Sequence, residues 1–149
     1  MVSSLSYTRS QSIDDLLKSK HDQRMNGAEV ATLTMIGLNP ILFGLPGGAI
    51  LPLDQMSAMY QSHLRYYLVK HEAHAVFAQE GYAAVSGVPA FSLVTSGPGV
   101  ANAIGGLYDG EMEFYPGVIV SGNVPLHFLM NRNIKAFQSS RAVEGASAF

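Results

Sequence analysis

Two rhythms of apolar spacing alternate along this chain, a helical one and short unbroken runs of strand length. Asn26 is placed to cap a helix in which Ala28, Ala31, Met35 and Leu38 share a face, and Gly37 and Asn39-Pro40 end it. Ile41-Leu42-Phe43 is too short for a helix between such breakers and reads as a buried strand. Pro46-Gly47-Gly48 turns the chain into a second helix over about Leu53 to Ser62. Arg65 to Val69, rich in Tyr and Val, is the next strand. His71 to Val85 returns to helical spacing with Ala75, Ala78, Tyr82 and Val85, and Gly87 and Pro89 close it. Ala90 to Val94 is a strand, Ser96 to Gly99 a turn, Val100 to Glu113 a helix, and Gly117 to Val120 the last clear strand. Gly105 and Gly106 inside that last helix cost about 1 kcal/mol each relative to Ala, and their spacing predicts close approach of another backbone.

Strands alternating with helices over short connections predict an α/β domain of three layers, α/β/α, with a mainly parallel sheet. The ordered domain is expected over residues 26–138, flanked by a flexible tail at 1–25 and a C-terminal tail at 139–149. A short helix, Ile13 to Lys18, is expected inside the first tail. The Ser-rich first dozen residues, with Arg9 and no acid, resemble an organelle presequence. Asp14, Asp15 and Asp22 break that pattern, so a cytoplasmic home is the expectation.

Composition narrows the function. Of 149 residues, 48% are hydrophobic and only 13% charged, against roughly 25% charged in an average soluble domain. Such a chain folds, and part of its apolar surface is expected to rest against another subunit or domain. A net charge of -2 without a basic cluster argues against a nucleic-acid partner. No apolar run approaches the ~20 residues of a membrane span. With no cysteine, thiol chemistry and cysteine-bound zinc are excluded.

The chemistry concentrates where strands end. The glycine turns at Pro46-Gly47-Gly48 and Ser96-Gly97-Pro98-Gly99, together with Glu72, fall where open α/β sheets bind ligands. Glu72 has three readings. It is an acid at a helix start worth about 0.3–1 kcal/mol, a general base toward water, or an acceptor for a ring nitrogen in an apolar pocket where a proton is shared. His71 and His74 are three apart, not the four a zinc-protease helix requires. Ser96 to Asn102 resembles a dinucleotide fingerprint whose last glycine is replaced by Asn102, and its backbone N–H groups remain able to grip an anion or heterocycle. Asp54, Glu80, Asp109, Glu111 and Glu113 read as solvated helix faces, and Met25, Met56, Met59 and Met112 as core filler.

In order, Phe43 to Pro52, Val69-Lys70-His71-Glu72, Glu80-Gly81-Tyr82-Ala83, Leu93 to Gly99, Asn102, Tyr108-Asp109 and Gly122 to Pro125 resemble one family. It is the N-terminal, pyrimidine-binding domain of the thiamine-diphosphate enzymes, and among them acetolactate synthase. The resemblance implies that fold, and it implies that Glu72 accepts a hydrogen bond from N1′ of the cofactor's aminopyrimidine. The cofactor's 4′ nitrogen then takes the C2 proton. By the same resemblance Pro46, Gly47, Gly48, Thr95, Gly99 and Asn102 shape the cofactor wall, and Gln138 lies near substrate. The implied reaction is decarboxylation of pyruvate and transfer of the acetaldehyde unit to a second 2-oxo acid, in branched-chain amino acid biosynthesis. Magnesium and, in many relatives, FAD enter through further domains. The implied partner is a second copy or a chain bearing the diphosphate-binding domain, and this chain alone is expected to form no acetolactate. Ala73 stands where the family carries Gln, and Asn133 to Gln138 departs from the family's pattern. Two alternatives stand beside this reading: the α-type subunit of a two-chain thiamine-diphosphate decarboxylase, and a truncated, non-catalytic copy acting as an interaction module.

Overall fold

The computed structural model describes residues 11–123 and residue 125. Four parallel strands, β1 (Ile41–Gly44), β2 (Arg65–Leu68), β3 (Ala90–Val94) and β4 (Gly117–Ser121), form one sheet in the order β2-β1-β3-β4. Helices α1 (Gln11–Lys20) and α2 (Gly27–Leu38) precede the sheet. α3 (Leu51–Met59), α4 (Glu72–Ser86) and α5 (Pro98–Glu113) are its crossovers.

The strand order decides which face each helix covers. From β1 the chain steps one way to β2, and from β2 it jumps back across β1 to β3 and on to β4. Right-handed crossovers must then place α3 on one face and α4 and α5 on the other. The packing agrees. Leu33, Met35 and Ile36 of α2 pack with Ile50, Tyr60, Leu42, Phe91 and Leu93 in one core, while Val76, Val94, Val100 and Ala103 form a second with Ile119 against it. Alternate residues of β3 thus serve opposite cores: Phe91 and Leu93 one, Val94 the other. These are the three α/β/α layers that the alternation predicts.

Local signals act as the sequence implies at several ends. Asn26 caps α2 through its side chain, accepting from Glu29 N at 2.8 Å. Gly87 closes α4 in the left-handed conformation, φ 70°. α5 ends instead on Phe114, a non-glycine residue at φ 57° that is 91% exposed.

Some expectations shift. The helix expected over Ile13 to Lys18 is present within the longer α1, and it is anchored rather than loose, with Ile13 buried in the first core. α2 buries Thr32, Leu33, Met35 and Ile36, while Leu38 is exposed. Val85 of α4 is also exposed; that helix buries Glu72, Ala75, Val76, Gln79, Glu80 and Ala83. Gly106 does meet another helix, since a Cβ there would lie 2.7 Å from Val76 Cβ, but the neighbouring Gly105 faces open space. Asp54 and Glu80 are not solvated: the first is half-buried and the second only 6% exposed.

Candidate functional site

The order of the sheet reverses between β1 and β3, and the crevice outside their carboxyl ends is where such folds place ligands. The loops leaving these two strands are Leu45 to Gly47, which runs into a 3-10 turn at Gly48–Ile50, and Thr95 to Gly97. They touch. A Cβ on Gly47 would lie 2.6 Å from Thr95 Oγ1, so only glycine lets the first loop lie against the second. Leu45 N donates to Leu93 O at 3.3 Å and ties the two strand ends together. From α3, the half-buried Asp54 accepts from Gly47 N–H and from Tyr66 Oη at 3.1 Å, holding the glycine loop from behind. Burial pushes the Asp54 carboxyl up, and burial beside Asp54 pushes the Tyr66 phenol up as well.

Glu72 enters the same place from β2. His71 caps α4, its Nδ1 accepting from Ala73 N at 3.3 Å, which fixes the direction in which the helix starts. Glu72 as a residue is 7% exposed. Its Oε2 accepts from Asn102 Nδ2 at 2.9 Å, and a Cβ on Gly99 would come within 3.2 Å of Oε1. A side chain on Gly99 would therefore fill the space beside the carboxyl. Gly97, at φ 69°, makes the turn that brings α5 there, a conformation that favours glycine.

Of the residues singled out in the sequence, Gly47, Thr95, Gly99, Glu72 and Asn102 meet at this crevice. Pro46 stands exposed on the first loop and Gly48 at the start of the turn that follows it. Gln138 lies outside the described residues, as does the end of the expected domain. His71 and His74 lie with ring centroids 5.6 Å apart, and among the described residues no three potential metal ligands gather.

A second buried carboxyl was not visible in the sequence. The contacts of α4 with α5 form a seam: Glu72 on Gly99, Val76 on Gly106 and Glu80 on Gly110. Burial, then the nearby Asp109 carboxylate, push Glu80 up to about 7, against the opposing pull of the Gly110 N–H. The glycine spacing of α5 was the one available signal, because each glycine admits a larger side chain from α4.

A family model described as "Thiamine pyrophosphate enzyme, N-terminal TPP binding domain" matches residues 27–143. The chain is 38% identical over 125 residues to "Acetolactate synthase, chloroplastic" of Arabidopsis thaliana, covering 83% of this chain and 18% of that protein. It is 39% identical over 107 residues to "Acetolactate synthase isozyme 2 large subunit" of Escherichia coli strain K12, covering 70% and 19%. It is 38% identical over 109 residues to "Acetolactate synthase large subunit" of Corynebacterium glutamicum, covering 72% and 17%. The chain thus spans less than a fifth of the length of these relatives.

Proposed function

Since the chain belongs to the thiamine pyrophosphate enzymes, as their N-terminal TPP binding domain, we propose that it supplies the pyrimidine side of an acetolactate synthase site. Glu72 is its catalytic carboxylate. The observation that carries this reading is the setting of that side chain: buried at the strand-order reversal, one oxygen held by Asn102 at 2.9 Å, the other beside the bare backbone of Gly99.

These residues fit a flat aminopyrimidine. Gly47 and Gly99 keep Cβ atoms out of the crevice, and Thr95 forms the wall between them. The Asn102 amide leaves Glu72 Oε1 as the oxygen able to accept from a ring nitrogen and hold its proton. When bound, thiamine diphosphate supplies the nucleophilic carbon and electron sink for decarboxylating pyruvate and passing on its two-carbon unit. The protein's share is to orient the ring and keep water from the shared proton. Magnesium and FAD belong, in this reading, to further domains.

A site completed by other protein is supported by the apolar surface around the end of α5 and β4, where Met112 is 77% exposed and Phe114 91%, with Tyr108 and Val118 also exposed. The proposed partner is a second copy or a chain bearing a diphosphate-binding domain. The cytoplasm is the proposed compartment, and the chloroplastic relative is what supports the organelle alternative. No helix among the described residues is long and apolar enough to cross a membrane.

The test is a graft. Residues 26–138 replace the matching domain of the Escherichia coli relative, and acetolactate is assayed with pyruvate, thiamine diphosphate and Mg²⁺. Acetolactate formation is expected, with Glu72→Gln lowering kcat by about 10²–10⁴-fold. Full activity in the Glu72→Gln graft would remove this carboxylate from the mechanism.

A further inference from the structure

Between α4, α5 and β4 lies a cavity of about 260 Å³, with Val76, Ala103, Leu107 and Ile119 among its walls. Its walls are mainly apolar, with Gln79, Glu80, Tyr115 and Ser121 as the polar residues, and the Ser121 hydroxyl is already spent on Gly122 O at 3.0 Å. Gln79 and Glu80 as residues are 4% and 6% exposed, and the Oε1 atom of each is buried without a hydrogen-bond partner. An acceptor stripped of water and left unpaired costs about 1–3 kcal/mol, more when charged, so two in one cavity need an explanation.

Both orphans are oxygens, so the missing group is a donor. The Asp109 carboxylate adds negative charge near Glu80, and none of the described lining residues is basic. A group with several N–H donors and a positive charge satisfies all of these conditions. A hydroxyl offers one donor and no charge. Size limits the rest: about 150 Å³ holds a benzene ring, so about 260 Å³ admits up to roughly ten heavy atoms. We propose that this cavity binds a small aliphatic primary ammonium, its hydrocarbon body against Val76, Ala103, Leu107 and Ile119 and its head against Gln79 Oε1 and Glu80 Oε1. The site is separate from the crevice at Glu72, which does not line it.

The full chain, titrated at pH 8 with n-hexylamine and separately with 1-hexanol, tests this by methyl NMR shifts of Val76 and Ile119. Hexylammonium is expected to bind at least about tenfold more tightly than hexanol, since only it forms charge-assisted hydrogen bonds. Glu80→Gln should abolish that preference while hexanol binding persists, and Ala103→Leu should block both probes by filling the space. Equal affinity for the two probes, no shift of these methyls with either, or a preference that survives Glu80→Gln would each overturn the proposal. The comparison of probes on the unaltered chain needs no variant to fold.

Discussion

At the scale of single residues, the chain carries two buried carboxyls on one helix whose surroundings differ. Glu72 faces a donor, Asn102, while Glu80 has an orphan oxygen and a carboxylate neighbour. The second arrangement has a consequence for pH. Glu80 is raised from 4.5 to about 7, so between those values the folded chain holds a proton that the unfolded chain has lost. Stability therefore falls as pH rises through that window and levels off above it. Urea denaturation of the native chain and Glu80→Gln, compared from pH 4.5 to 8, should show that slope reduced in the variant. Parallel curves would remove Glu80 as its source. Glu72 was legible from the sequence because turns and a strand end frame it. Glu80 was not: nothing near it in the chain announces burial, which depends on Gly110 thirty residues away.

Elements show the same division. The strands and crossover helices are found where apolar spacing puts them, because short apolar runs between Gly and Pro leave little choice. The buried faces of α2 and α4 were harder to read. α4 packs against both the sheet and α5, and among its inward positions are Glu72, Gln79 and Glu80. A single apolar stripe does not describe such a helix. The neighbouring glycines of α5 sharpen the point. Gly106→Ala drives a methyl into Val76 and should cost about 1–3 kcal/mol. Gly105→Ala meets nothing within 4 Å and should gain up to about 1 kcal/mol from helix propensity. Urea midpoints of the two variants moving the same way would contradict the seam described between α4 and α5.

For the whole molecule, the three layers follow from the alternation of strands and helices and from the handedness of their crossovers, which made them legible in the sequence, whereas the reversal between β1 and β3 rests on a strand order that alternation does not fix. What lay beyond reading was which apolar side chains stay exposed. Phe114 joins two roles: a left-handed helix end and a nearly bare phenyl ring. Phe114→Gly should stabilise the isolated chain by about 1 kcal/mol. The same change should weaken assembly with a diphosphate-domain partner by about 1.5–3 kcal/mol, the worth of one buried aromatic side chain. Paired denaturation and sedimentation measurements check both halves, and unchanged assembly would place the interface elsewhere. The β2-β1-β3-β4 order also bears on breathing motions. β1 and β3 are each hydrogen-bonded on both sides, so their amides can exchange with deuterated solvent only when a neighbouring strand lets go. One glycine loop hangs from each of these two inner strands, so whatever the loops grip is clamped by a part of the sheet that opens only with its neighbours.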